Sequence, residues 1–260
     1  MVPSSSPVPW NSGPLAKLFG PPGFLVLSPS FDEPAHIRNL MTALLPTSHS
    51  IGTQAGTSVR IIEEVAGLGA ILDDLVNSVA LRRSLPAALE AEAQAALGEP
   101  RFWRRAVVVP DARGLDKLSA LLAGFPLLVR DIHFWVVVLS ELTGCELVGV
   151  RLARVETMTC PRLHVDGVVL RVLSTLVGAG IEFVGNEGVD RRLLSDCARG
   201  LAGEAPGILR EGARVQRAAT GDVVFLKGEA WPGNQGLGAV HRSPHASRYA
   251  PRLVMTLDPL

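Results

Sequence analysis

Three side chains in the C-terminal part of the chain have the types and spacing to hold a metal ion. His164 and Asp166 lie in Cys160-Pro161-Arg162-Leu163-His164-Val165-Asp166, and His241 opens His241-Arg242-Ser243-Pro244. On an extended segment, residues two apart point to the same side, so His164 and Asp166 present an imidazole and a carboxylate to one point. On a helix they would diverge, and Pro161 and Gly167 bracketing the pair argue against helix. An isolated His-x-Asp is common by chance, as a surface histidine beside a turn aspartate. A second cluster gives the pair its meaning. Gly221-Asp222-Val223-Val224-Phe225-Leu226 reads as a turn entering a buried strand, His241 follows a glycine-rich loop, and Arg252-Leu253-Val254-Met255-Thr256 reads as a last strand with Arg252, Val254 and Thr256 on one face.

Two neutral imidazoles and one carboxylate on one face of a metal leave three positions open, the arrangement used by non-haem Fe(II) oxygenases. Two open positions take a bidentate 2-oxo acid and the third takes dioxygen. Arg252, eleven residues after His241, supplies a planar, permanently charged fork for the distal carboxylate of such a co-substrate, and Thr256 adds a hydroxyl on the same face.

Other side chains keep two readings each. Arg171 binds a substrate carboxylate or forms an ion pair with Glu182. Lys227 lines the pocket mouth or belongs to a solvated turn, and Trp231 closes over substrate or packs its loop down. Cys160 is a fourth soft ligand, a redox-sensitive thiol or a small buried hydrophobe. His245 competes with His241 as the distal ligand, but Pro244 disfavours a helical His-x-x-x-His pair. His133, beside Phe134 and Trp135, reads as a hydrogen-bonded core or interface histidine. His36 and His49 have no partners and carry no assigned chemistry. The loop Gly233 to Gly238 lacks the Lys-Ser/Thr of a phosphate-binding loop, and neither GxSxG nor HExxH occurs.

The elements that must position these residues change character along the chain. From Asp32 to Leu142 the pattern is mostly helical. Ile61, Ile62, Val65, Leu68, Ile71, Leu72, Leu75 and Val76 recur at helical spacing and predict an amphipathic helix. Further helices are predicted over Pro86 to Leu97, Leu115 to Leu122, and Leu127 to Thr143, the last ended by Gly144 as a left-handed cap. Val107 to Val109 reads as a short strand. Beyond Cys145 come short β runs: Leu147 to Leu152, Val168 to Val177, Ile181 to Val184, Val223 to Leu226 and Leu253 to Leu257.

The expected fold is α+β, a helical N-terminal half packed on a C-terminal double-stranded β-helix of the jelly-roll or cupin kind. Residues 1–30, which hold seven of the 19 prolines, form an arm. Residues 31–145 form a mainly helical region and 146–260 the metal-binding jelly roll, with 31–260 as one compact unit.

Composition narrows the function classes. In 260 residues, 25 Lys+Arg balance 25 Asp+Glu, which provides no global attraction for nucleic acid or an anionic membrane. Ile132 to Leu139, the most apolar stretch, contains His133 and is far short of the roughly 20 residues a spanning helix needs. The N-terminus lacks the pattern of a signal peptide. The three cysteines, Cys145, Cys160 and Cys197, have no CxxC spacing, which fits a reducing cytoplasm. The expected partners are a small-molecule substrate and dioxygen, with oligomeric state open.

The ordering HVD, GDVVF, HRS and Arg252 resembles the jelly-roll core of Fe(II)- and 2-oxoglutarate-dependent dioxygenases. Over Val148 to Asp258 the chain is similar, more closely, to an uncharacterised bacterial family, the domain of unknown function numbered eighteen twenty-six. The motifs are CPxxHxD from Cys160 to Asp166, a following Arg at Arg171, Gly178 with Gly180, LKGExW from Leu226 to Trp231, and HRSP from His241 to Pro244. The chain departs from that family at Leu163, Thr175-Leu176 and Ile181-Glu182-Phe183. The resemblance implies a metal at His164, Asp166 and His241, and the first family implies Fe(II) with 2-oxoglutarate at Arg252. Association of the second family with zinc homeostasis implies an alternative, a zinc-binding protein with the same triad and Cys160 or His245 as fourth ligand. A cupin-like metal-dependent lyase or isomerase is a third reading.

Overall fold

The structure is a computed structural model that describes residues 57–157, 160–194, 205–244 and 250–260. The expected arm over 1–30, His36, His49, Cys197 and His245 lie outside these residues. Ten strands are formed among the described residues: β1 (Val59–Ile62), β2 (Ser78–Leu81), β3 (Trp103–Val108), β4 (Val148–Val155), β5 (Leu170–Val177), β6 (Glu182–Val184), β7 (Val215–Arg217), β8 (Val223–Lys227), β9 (Val240–Arg242) and β10 (Arg252–Pro259). Among the described residues three α-helices accompany them: α1 (Ala87–Gly98), α2 (Ala112–Leu121) and α3 (Pro126–Thr143).

Seven strands form one sheet in the order β1-β2-β8-β5-β10-β4-β3, and three form a smaller sheet, β7-β6-β9. All pairings are antiparallel except β1 with β2. From β4 onward the chain alternates between sheets: β4 in the large one, an extended stretch at His164 bridged to β9, β5 in the large one, β6 and β7 in the small one, then β8, β9 and β10. This alternation is the winding of a jelly roll.

The central strands β2, β8, β5 and β10 of the large sheet are buried on both faces, so they are nearly continuous apolar runs. On one face Val172, Phe225, Met255 and Leu257 pack with Leu128, Ile132, Trp135 and Leu139 of α3. On the other, Ala80, Leu173, Val224 and Leu226 meet Phe183 of the small sheet. Each fully buried side chain of this kind contributes about 1.5–3 kcal/mol. Helix α3 begins with Pro126 in its first turn and ends at Gly144, whose φ of 70° accepts the left-handed cap and whose N–H bonds the Ser140 carbonyl at 2.7 Å.

The helix expected over Ile61 to Val76 does not form. That stretch is β1, a 3₁₀ helix over Val65–Leu72, and the approach to β2. A spacing of three serves a 3₁₀ turn as well as an α-helix, and Leu68 and Ile71 share its buried face. Ile61 is 42% exposed beside buried Ile62, the alternation of a strand. β2 is captured by β8, with Ser78 to Leu81 paired to Leu226 to Val223. Among the described residues before Cys145, three strands stand beside the helices: β1 and β2 extend the large sheet on one side, β3 extends it on the other, and helices and large sheet share one core.

Candidate metal centre

His164 and His241 are backbone neighbours. Each donates its N–H to the other's carbonyl at 3.0 Å, forming an isolated antiparallel bridge that sets the two imidazoles side by side with ring centroids 4.4 Å apart. Cys160 continues the pairing by accepting from the Ser243 N–H at 2.8 Å. Each ring is then oriented by the same local device. His164 Nδ1 lies 2.8 Å from the Arg162 carbonyl, and His241 Nδ1 lies 3.1 Å from the Ala239 carbonyl. A carbonyl only accepts, so both Nδ1 atoms donate, and in the neutral rings both Nε2 atoms keep a free lone pair.

Asp166 completes the group. Its Oδ1 is 3.9 Å from His164 Nε2 and its Oδ2 is 3.3 Å from His241 Nε2, and all three ligand atoms lie within 4.8 Å of one another. Ligand atoms about 2.1 Å from one cation stand roughly 3 Å apart at right angles, so the donor set fits a divalent metal. Among the described residues no other His, Cys, Asp or Glu joins these three, and the Cys160 thiol lies outside the group. Burial alone would raise the Asp166 carboxyl. The neighbouring His241, Arg171 and His164 outweigh burial and hold it well below the usual carboxylate range.

Arg171 is not free to bind a substrate, nor does it pair with Glu182. It grips Asp258 through Nε at 2.7 Å and Nη2 at 2.9 Å, and reaches Asp166 Oδ2 through Nη1 at 2.8 Å. A strand places the pair: Asp258 follows Arg252, Val254 and Thr256 at alternate positions of β10, on the face that Arg171 presents from β5. Asp258 went unread in the sequence, although that alternation was the signal. Glu182 instead pairs with Arg217 and, at 2.7 Å, with Arg242 Nε.

Arg252 and Thr256 both lie buried on the inner face of β10. Among the described residues the Arg252 guanidinium has one long hydrogen bond, from Nη1 to the Ala179 carbonyl at 3.3 Å, and its buried Nε has no partner. Burial pushes it down from the usual arginine range. Gly178, at φ 89°, makes room for its stem, since a Cβ there would stand 3.0 Å from Arg252 Cγ. Thr256 accepts at Oγ1 from Arg151 Nη2 at 3.1 Å.

Lys227 and Trp231 do not line this side. Alternation along β8 puts Lys227 with Val223 and Phe225, on the helix-facing surface, where its ammonium donates to the Asp73 carbonyl at 2.8 Å and sits 4.8 Å from the centre of the Trp231 ring. Trp231 belongs to the helix-side core. Glu229 ties the following loop, accepting from the N–H groups of Gly236 and Gly238 at 2.6 and 3.0 Å. The Leu226 to Trp231 block is thus scaffold. His133 bonds the Asp111 carbonyl through Nε2 at 3.0 Å, far from the triad in function, as a packing histidine.

Gly228 links this scaffold to the site. Its N–H bonds the Val169 carbonyl at 3.0 Å, and a Cβ there would stand 1.9 Å from the Val168 carbonyl oxygen and 2.8 Å from that of Asp166. Gly228→Ala is expected to destabilise the protein by about 1–3 kcal/mol and, by displacing Asp166, to weaken metal binding about tenfold or more. Urea unfolding and metal titration of the variant check both effects, and unchanged metal affinity would contradict the second.

A family model described as "Protein of unknown function (DUF1826)" matches residues 63–258, which contain the triad, Arg171 and Arg252. The chain belongs to that family. No curated protein matches this DUF1826 member. Among solved structures it is similar to the rice dioxygenase for auxin oxidation, at 16% identity over 78% of this chain and 83% of that one, with a TM-score of 0.45. It is also similar to a putative oxygenase from Shewanella oneidensis, at 13% identity over 77% and 89%, TM-score 0.45. The 2-oxoglutarate-dependent epimerase SnoN of nogalamycin biosynthesis is similar at 18% identity over 70% and 75%, TM-score 0.39. Among the described residues no helix is long and apolar enough to cross a membrane.

Proposed function

We propose that this DUF1826 protein is a non-haem Fe(II)- and 2-oxoglutarate-dependent oxygenase that uses dioxygen to oxidise a small molecule in the cytoplasm. His164, Asp166 and His241 would hold the metal. The observation that carries the reading is the pairing of a three-ligand cluster with the buried Arg252 guanidinium, short of partners, on the inner face of the same jelly roll. Three ligands among the described residues leave positions for exogenous groups, whereas a structural zinc site closes with four. That difference favours the oxygenase over the zinc-binding alternative.

When bound, Fe(II) supplies the redox chemistry that couples oxidative decarboxylation of the 2-oxo acid to oxidation of the substrate. The chain's own residues do the rest. Arg252 takes the distal carboxylate of 2-oxoglutarate in a charge-assisted pair, gaining the hydrogen bonds its Nε lacks. The Arg162 and Ala239 carbonyls keep both imidazoles in the Nδ1–H form, and Arg171 fixes the Asp166 carboxylate from behind. Leu173, Val224 and Phe183 line the space between the sheets with apolar groups, and a low-dielectric lining strengthens charge pairs formed beside it.

Anaerobic addition of Fe(II) and 2-oxoglutarate is expected to produce a weak visible charge-transfer band. Arg252→Ala should lose it at the same co-substrate concentration, through affinity lowered about tenfold or more. A colourless wild-type mixture contradicts the proposal, and turnover without 2-oxoglutarate would favour the lyase or isomerase reading.

A further inference from the structure

A row of cross-strand neighbours on the inner face of the large sheet changes character midway. From β2 to β3 it reads Ala80, Val224, Leu173, Thr256, Arg151 and Arg105. The first three are apolar and lie under the small sheet, with Phe183. Beyond β10 the face is uncovered among the described residues: Arg151 and Arg105 are exposed, and Trp103, which shares their face on β3, is 55% exposed.

Arg151 and Arg105 stand directly opposite each other, an arrangement that costs stability through like-charge repulsion. Among the described residues neither meets a carboxylate. Arg151 has the Thr256 hydroxyl, and its guanidinium lies over the Trp103 ring at 5.8 Å. Asp166 and Asp258, the acids of the neighbouring site, are held by Arg171. Arginines on the other face of the same two strands are neutralised: Arg104 pairs with Glu99 at 3.0 Å and Arg154 with Glu156 at 2.8 Å. The uncompensated pair is therefore particular to the inner face. It also adjoins the candidate metal centre: Thr256, which accepts from Arg151, lies two residues from Asp258 on the same face of β10, and Arg171 ties Asp258 to Asp166.

We infer that this platform binds the primary substrate, an anionic small molecule whose carboxylate or phosphoryl group is held between Arg105 and Arg151 while a planar apolar part lies on Trp103. The inference rests on the reading of the triad as the reacting centre. Two guanidinium forks match either oxyanion bidentately, and an exposed indole beside them adds a stacking surface. From β10 to β3 the platform spans about 10 Å, two strand spacings, which sets the ligand's size as that of a metabolite.

The test uses the full-length protein, treated with Fe(II) under argon and saturated with 2-oxoglutarate, and measures metal content and probe binding separately. The probes are naphthalene-2-carboxylate, 2-naphthyl phosphate and the neutral naphthalene-2-methanol, titrated calorimetrically. At least one anion should bind, more weakly at high salt, with Arg105→Gln and Arg151→Gln each weakening it about tenfold or more and Trp103→Ala weakening it less. The stronger anion tells carboxylate from phosphoryl. Metal content should be the same in all three variants. Failure of both anions to bind, equal binding of the neutral probe, or full affinity in both arginine variants overturns the inference. Anion binding by wild-type protein that takes up no Fe(II) would keep the anion site and overturn the triad.

Discussion

His241→Ala should abolish the stabilisation that Fe(II) confers on the wild-type protein. A ligand present at 100 times its Kd adds about 2.7 kcal/mol to unfolding free energy, and this gain is expected for the wild type in urea unfolding under argon. Losing only a hydrogen-bond partner of a metal ligand costs up to about 100-fold in affinity. Losing one of three ligands costs more, so the variant should show no gain at the same metal concentration. The substitution leaves the backbone bridge with His164 in place, because that bridge uses main-chain atoms alone. His133→Ala is the control: its ring bonds the Asp111 carbonyl and faces no other ligand, and the Fe(II) gain should persist. An equal gain in His241→Ala and wild type would remove His241 from the centre.

Arg252→Met should make the protein more stable and less able to bind 2-oxoglutarate. Arg252 is 3% exposed, and among the described residues it has one hydrogen bond of 3.3 Å with Nε left over. A buried charge without a partner costs free energy that an apolar side chain of similar length avoids. The variant is therefore expected to gain about 1–3 kcal/mol in urea unfolding without ligands. With saturating 2-oxoglutarate and Fe(II) the order should reverse, since only the wild type binds the co-substrate tightly. A ligand-free variant less stable than wild type would show that the guanidinium is satisfied in the folded protein and not held ready for an anion.

Much of the site was legible because its signals are local. The two-residue period of a strand is enough to align His164 with Asp166 and Arg252 with Thr256, and Pro126 and Gly144 mark the ends of α3 by their own backbone preferences. The failures share a cause. Apolar residues over Ile61 to Val76 satisfy a helical period, yet their conformation is set by β8, some 150 residues along the chain, which pairs with β2. Lys227 and Trp231 sit in a motif beside the site, but which face of β8 meets the helices depends on the sheet's partners. Arg171 could be matched to Glu182 or to a substrate by sequence, whereas register across β5 and β10 delivers it to Asp258 and Asp166.

The sequence by itself determined the types and order of the candidate ligands and the alternation that brings each pair to one side, because these follow from residue chemistry and the geometry of a few consecutive peptides. Only the tertiary structure decided that His164 and His241 bridge, that Arg252 is left short of partners, and that Arg105 faces Arg151 beyond the small sheet. Those facts depend on which strands become neighbours. That choice minimises exposed apolar surface and unpaired backbone over the whole chain, and no short window of residues contains it.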